Sequence, residues 1–293
     1  MSSDCETGEI KGSGSATLFF RRWQVDAAIA QVLVIHGLGE STGRYLHVGR
    51  FLQQAGFNVF AIDLRGHGRS SGLRGAFGRY EDLAGDVETA LATVDVESTI
   101  IFAHSFGAQL AFWTLARSRH RPLGLIASAP WLELTYPPGP SLRRLASAMR
   151  RCWPACPFPT GITGSKVSSD QAFIDALEDK HLLIPFIRVH TYFEAERAAG
   201  DLLRQPFCPV PVLLAHGTAD PVTSPAVTEL FFNRLEAPAK TLKLYPGLRH
   251  ELHNEGARQT VLRDYATWMQ GLVASGGRSG WDGRGEPRRE DKV

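Results

Sequence analysis

Ala103-His104-Ser105-Phe106-Gly107 decides how the rest of this chain is read. An apolar run, Thr99-Ile100-Ile101-Phe102, precedes it and has the composition of a buried parallel strand. A breaker-free, helix-forming stretch over residues 108–117 follows. Small-x-Ser-x-small between a strand and a helix is the pattern of a nucleophile elbow. The residues two before and two after the serine must be small, because the turn presses their backbones against a neighbouring strand and helix. Ala103 stands at the first of these positions and Gly107 at the second. The turn predicts a strained Ser105 with its hydroxyl free at the strand's C-terminal edge. The Phe106 amide then opens a helix whose N-terminus favours negative charge.

Outward from the elbow, the same alternation recurs. Gln31-Val32-Leu33-Val34-Ile35 and Asn58-Val59-Phe60-Ala61-Ile62 read as core strands, with helices over residues 45–55 and 79–94 between them and the elbow strand. Residues 16–23 read as an edge strand and residues 123–127 as a short core strand. Strands alternating with helices of ten or more residues predict βαβ units and a parallel sheet covered on both faces. The alternation stops over residues 131–209, where prolines bracket helical stretches at 142–153, 170–183 and 185–203 without a core strand. It resumes with Val210-Pro211-Val212-Leu213-Leu214-Ala215, a helix over 224–235, a strand over 240–245 and a helix over 255–273. The expected organisation is an α/β core from residues 15–130 and 210–273, a helical cap from 131–209, and disordered ends at 1–14 and 274–293.

A serine hydroxyl needs a base, usually a histidine held by a carboxylate. His216-Gly217-Thr218-Ala219-Asp220-Pro221 follows one late core strand, and Pro246-Gly247-Leu248-Arg249-His250 follows the next. The order serine, acid, histidine, each after a strand, makes Ser105, Asp220 and His250 the candidate catalytic residues. His253, three residues further on, is the rival base. His36-Gly37-Leu38-Gly39 after the first buried strand is the place for an oxyanion hole, with backbone N–H groups from Leu38 and Phe106. Such donors typically contribute about 3 kcal/mol each to a transition state. Arg65, His67 and His104 read as residues that brace loops.

Composition narrows the alternatives. The 293 residues are 43% hydrophobic and 21% charged, with a net charge of +2, which is too balanced to indicate nucleic-acid binding. Cys5, Cys152, Cys156 and Cys208 lack the spacing of a zinc site and read as reduced thiols. No metal or organic cofactor is expected. Residues 1–15 carry no apolar signal core, and no stretch approaches the roughly 18–20 apolar residues of a membrane span, so the expected location is cytoplasmic, peripheral to membranes at most.

Several motifs in register resemble one family. His36-Gly37-Leu38-Gly39-Glu40-Ser41-Thr42-Gly43-Arg44-Tyr45, Asp63-Leu64-Arg65-Gly66-His67-Gly68-Arg69-Ser70, the His104-Ser105 elbow, Gly217-Thr218-Ala219-Asp220 and Tyr245-Pro246-Gly247-Leu248-Arg249-His250-Glu251 are similar to those of the monoacylglycerol lipase and lysophospholipase group of α/β-hydrolases, which includes the serine aminopeptidase S33-like hydrolases. The resemblance spans residues 16–272. It implies the α/β-hydrolase fold and a serine hydrolase that cleaves carboxylic esters of single-chain lipids, monoacylglycerol or lysophospholipid, through an acyl-enzyme. The departures are Ala103 for glycine, Phe106 for methionine and Ser41 for histidine. The first two are expected to line the acyl side of the site.

The cap carries one further signal. Leu142, Leu145, Met149 and Trp153 recur at helical spacing, with Arg143, Arg144, Arg150 and Arg151 over much of the remaining surface and no acid nearby in sequence. Such a helix can make transient contact with an anionic membrane surface, or it can pack its apolar stripe on the core. Two rival functions stand beside the lipid esterase: an esterase, thioesterase or peptidase on small soluble acyl compounds, and a non-catalytic binding protein of the same fold. Aspartate at the elbow would have pointed to dehalogenase or epoxide-hydrolase chemistry; serine disfavours both.

Overall fold

A parallel strand covered on both faces buries all its side chains, so its apolar residues divide between two cores. The computed structural model, which describes residues 5–177 and 180–276, has that division in the first apolar run. Leu33 and Ile35 enter one core, and Val32 and Val34 enter the other. The same split separates Ile101 from Ile100 and Phe102 in the elbow strand.

In chain order the strands are β1 (Glu6–Lys11), β2 (Thr17–Trp23), β3 (Ala30–Ile35), β4 (Phe57–Ile62), β5 (Thr99–His104), β6 (Gly124–Ser128), β7 (Pro157–Pro159), β8 (Phe186–Arg188), β9 (Val212–Gly217) and β10 (Lys240–Tyr245). Among the described residues, eight of them form one sheet in the order β1-β2-β4-β3-β5-β6-β9-β10. Pairing is parallel from β4 through β10 and antiparallel for β1 with β2 and β2 with β4. The helices are α1 (Leu46–Gln54), α2 (Tyr80–Ala92), α3 (Phe106–Leu115), α4 (Pro140–Cys152), α5 (Gly164–Val167), α6 (Gln171–Ala176), α7 (Val189–Arg204), α8 (Pro225–Arg234) and α9 (Arg258–Ala274). Helices α1 and α9 cover one face of the sheet; α2, α3, α7 and α8 bury side chains in the core on the other.

This is the α/β-hydrolase architecture, and three local expectations change within it. Of the end at 1–14 that the sequence predicts to be disordered, residues 1–4 lie outside the described residues, and Glu6–Lys11 forms β1, paired along its whole length with β2. The pairing is backbone to backbone, so a Gly- and Glu-containing stretch needs little apolar side chain to join an edge. Between residues 131 and 209, β7 and β8 form a separate two-stranded antiparallel sheet, and the helix expected from residue 185 starts at Val189 after β8. The helical stretch expected over 170–183 is α6 followed by a 3₁₀ turn at Lys180–Leu182. Most of the tail expected over 274–293 lies outside the described residues.

Residues 131–209 are tied to the core at more than one place: Glu251 N–H donates to Val167 O (2.7 Å) and Ser168 Oγ to Asn254 O (2.9 Å), and a second set of bonds lies beside β8. Ile184 N–H donates to Gly39 O (2.9 Å), Arg188 Nε to Arg74 O (2.6 Å), Arg74 Nη2 to Leu182 O (2.9 Å) and Thr191 Oγ1 to Gly75 O (3.1 Å). Helix α7 buries Tyr192, Ala195, Ala198 and Leu202 against the sheet side, whereas α4 buries no residue.

Candidate active site

The C-terminal ends of β5, β9 and β10 meet at one rim, because these parallel strands run in the same direction. At the end of β5 the backbone turns directly into α3, and Ser105 carries that turn with φ 53° and ψ −116°. A positive φ at a non-glycine residue costs on the order of 1–3 kcal/mol and persists only where its surroundings enforce it. They do so here. Ser105 N–H donates to Ser128 O (2.9 Å), and Ser105 O accepts from Trp131 N–H (3.1 Å). A side chain at Gly107 would run into the carbonyl oxygens of Ile35 and His36, so the small residue read from the sequence is a steric demand.

Three loops bring their side chains together. Ser105 O–H faces His250 Nε2 at 3.0 Å, and His250 Nδ1–H donates to Asp220 Oδ2 at 2.7 Å. All three residues are buried. Any side chain at Gly217 would meet the carbonyls of Leu248 and Arg249, so the acid loop and the histidine loop touch along their backbones. Ala219 N–H to Leu248 O (3.0 Å) seals that contact.

Asp220 is held from both oxygens. Its Oδ1 accepts the N–H groups of Val222 (2.7 Å) and Thr223 (3.1 Å), and its Oδ2 also meets Thr223 Oγ1 and His216 Nε2, each at 3.0 Å. Burial would push this carboxyl up, but His250 and the hydrogen bonds from His216 and His250 hold it well below the usual carboxylate range. For His250 the balance runs the other way. Burial would lower it, yet Asp220 beside it raises it above the ordinary histidine value. His36 and His67 are pushed down by burial to about 4 and about 3. His104 and His253 are also driven well below the ordinary value, first by burial.

Of the two histidines, His250 is the one that faces Ser105. His253 stacks on Tyr45 with ring centroids 4.7 Å apart, and neither ring nitrogen has a hydrogen-bond partner among the described residues. His104 packs against His250 and faces Ser128 O. Arg65 is bound to Asp86 through Nε (2.5 Å) and Nη2 (2.6 Å), and His67 Nδ1 lies 3.0 Å from Arg65 O, so both brace their loop.

For the oxyanion candidates, Leu38 lines the cavity beside Ser105. Phe106 is the first residue of α3, and amides of a helix's first turn have no intrahelical acceptor. The expectation that Ala103 and Phe106 line the acyl side is corrected. Both are fully buried, and the Phe106 ring stacks on Phe77 at 5.4 Å and packs edge-on to Tyr80, beneath the cavity rather than in its wall.

The cavity above Ser105 has a volume of 490 Å³. Leu38 from the core and Trp131, Leu134, Phe158, Ile162, Ile174 and Ile187 from residues 131–209 give it apolar walls. Its acidic lining residues are Glu40 and Glu251. Glu251 pairs with the buried Arg44 and accepts from Asn254 Nδ2 (2.6 Å), while Glu40 accepts from Tyr45 O–H (2.8 Å). Burial, then the nearby Glu251, pushes Glu40 up to about 7, against the pull of Arg44 and the Tyr45 hydroxyl.

Sequence reasoning did not give His216 or Thr223 a role, nor the Glu40–Arg44–Glu251 cluster. His216 had a visible signal, a histidine at a strand end four residues before the candidate acid. Pairing of Arg44 with Glu251, 207 residues apart, had none.

The sequence profile described as serine aminopeptidase, S33, matches residues 26–257. The chain is 31% identical over 270 residues to an uncharacterized abhydrolase domain-containing protein of Dictyostelium discoideum; the match covers 88% of this chain, which spans only 28% of that relative's length. It is 28% identical over 279 residues to a monoacylglycerol lipase of Mycolicibacterium smegmatis, covering 92% of this chain and 98% of the relative. Among solved structures, the monoacylglycerol lipase of Paleococcus ferrophilus superposes with a TM-score of 0.78 at 25% identity, over 88% of this chain and 98% of the other.

Proposed function

The chain belongs to the serine aminopeptidase S33 family of α/β-hydrolases, and from that premise we propose that it is a serine hydrolase cleaving carboxylic esters of single-chain lipids, monoacylglycerol or lysophospholipid. The observation that carries the proposal is the unbroken contact from Ser105 Oγ to His250 (3.0 Å) to Asp220 (2.7 Å) at the floor of an apolar cavity.

In the proposed reaction, Ser105 Oγ attacks the ester carbonyl as its hydrogen passes to His250 Nε2. Asp220 holds the imidazole by its Nδ1–H and stabilises the imidazolium. The amides of Leu38 and Phe106 receive the developing oxyanion. Collapse breaks the bond to the alcohol, which leaves with the hydrogen from Nε2. Water then attacks the acyl-enzyme, giving its hydrogen to His250, and the carboxylic acid departs as Ser105 regains its own. The held carboxylate of Asp220 and the raised basicity of His250 suit that cycle.

The family's description and the notion of a soluble substrate offer a second reading, a peptidase. An aminopeptidase site requires a carboxylate free to meet an α-ammonium. Here Glu251 is engaged by Arg44 and Asn254, and Glu40 by Tyr45. The apolar walls favour an acyl chain instead. The relatives named monoacylglycerol lipase support the same choice. In this reading α4 and the residue that follows it also meet the surface from which lipid is drawn: Leu145 on the helix and Trp153 just past its end are each 56% exposed, beside arginines that suit anionic headgroups.

A hydrolysis panel tests the proposal, with long-chain monoacylglycerols, lysophospholipids, short p-nitrophenyl esters and aminoacyl anilides offered to wild type and Ser105→Ala. The long-chain monoesters should give the highest kcat/KM, and Ser105→Ala should lose at least about four orders of magnitude. Preference for acetyl esters or anilides would replace the substrate assignment. Failure of Ser105 to label with a fluorophosphonate would instead favour a binding protein.

A further inference from the structure

Asp220 serves two histidines. The second, His216, is the penultimate residue of β9 and wholly buried. Its Nε2 lies 3.0 Å from Asp220 Oδ2 and 3.2 Å from Thr223 O, both acceptors, so Nε2 carries the ring hydrogen. Its Nδ1 lies 2.9 Å from Oγ1 of Thr228, a buried residue on α8, and accepts that hydroxyl's hydrogen. The two acceptors at Nε2 set the His216 tautomer and the Thr228 hydroxyl complements it, so the hydrogen bonds run on from α8 through His216 and Asp220 to His250 and Ser105.

A carboxylate oxygen has two in-plane lone pairs. At Oδ2 three donors gather: His250 Nδ1–H, His216 Nε2–H and the Thr223 hydroxyl, which has Ala129 O as an alternative acceptor at 3.2 Å. Oδ1 is pinned by the amides of Val222 and Thr223, so the direction in which Oδ2 meets His250 is set by the donors it shares, of which His216 is the one ring N–H besides His250 itself.

Resting on the Ser105–His250–Asp220 reading above, we propose that His216 is a positioning residue for the reaction: it occupies one lone pair of Asp220 Oδ2 and thereby aims the other at His250 Nδ1–H. It touches no reacting atom. Its effect reaches the substrate through Asp220 and His250, so it must be visible in the basicity of His250. The ionisable groups facing His250 are Asp220, Glu251, Glu40 and His104, and His216 faces Asp220.

The test compares His216→Phe, which removes the donor and keeps the bulk, with His216→Gln, whose amide nitrogen reaches the Nε2 position. Rates on a soluble p-nitrophenyl ester are followed across pH, with melting temperature measured alongside. His216→Phe should lower kcat/KM by about tenfold through misalignment. It should also move the acid limb of the profile to higher pH by about half a unit, since the Asp220 charge then bears on His250 with one competing donor fewer. His216→Gln should recover most of the rate and return the limb. Thr228→Val, a milder change at the far end of the series, should shift the limb the same way with a loss of about threefold; it decides the matter if His216→Phe does not fold. An unmoved limb overturns the proposal, whether the rate is unchanged or falls only with melting temperature and is not recovered by glutamine. Ser105→Ala is measured in parallel. If it stays active the underlying reading fails, whereas an inactive Ser105→Ala with an unaltered His216→Phe refutes the role of His216 alone.

Discussion

The rim of the sheet and helix α4 face each other across one cavity and are built on opposite terms. At the rim, Ser105, Asp220 and His250 are buried, and Asp220 accepts from three side chains, His216, Thr223 and His250, and from two backbone amides. In α4 no residue is buried, and Leu142 and Leu145 stand 45% and 56% exposed. Preorganised dipoles stabilise charge only if they need not reorient during reaction. A surface that admits a long apolar substrate has the reverse requirement, since it must present apolar area before the substrate arrives. Under the proposed function, the difference would separate where chemistry is fixed from where substrate is admitted.

The contrast can be broken most directly at the acid. Asp220→Asn keeps the shape of the rim while reversing one hydrogen bond, and it should lower kcat by about three to four orders of magnitude, with the melting temperature measured to exclude unfolding. A small loss would mean that the rim's fixed geometry is not what the rate depends on.

A smaller effect comes with pH. His250 must be neutral to accept the Ser105 hydrogen, and the Asp220 charge raises its pKa above the ordinary histidine value. Protonation on the acid side therefore removes activity, so kcat/KM should fall about tenfold per pH unit below a limb lying above about 6.5. A limb below that value would sever the link between the rim's charges and its rate.

The mildest and most selective effect belongs to α4. Leu145→Ser with Trp153→Ser should lower turnover of vesicle-borne monoester several-fold and leave a soluble short ester within about twofold. Replacing Arg143, Arg144, Arg150 and Arg151 by glutamine should reduce co-sedimentation with anionic liposomes. Equal losses on both substrates, or unchanged co-sedimentation, would assign α4 to packing alone. The ion pair from α4 to α7, Arg143 to Glu196 at 2.9 Å, involves a half-exposed arginine and contributes little to stability.

The sequence by itself determined the elements that local physics dictates. Runs such as residues 31–35 can satisfy their apolar side chains only as a strand covered on both faces, and small residues at 103 and 107 permit the turn that Ser105 makes. The order of Ser105, Asp220 and His250 after successive strands then follows, because parallel strands place their ends on one edge. Tertiary structure alone decided which of two nearby histidines faces the serine, that Phe106 lies beneath the cavity, that Glu6–Lys11 joins the sheet, and that His216 shares the acid. Each of these depends on contacts between residues distant in the chain or on the direction a side chain takes after a turn, and neither is carried by the identity of the residue or the spacing of its neighbours.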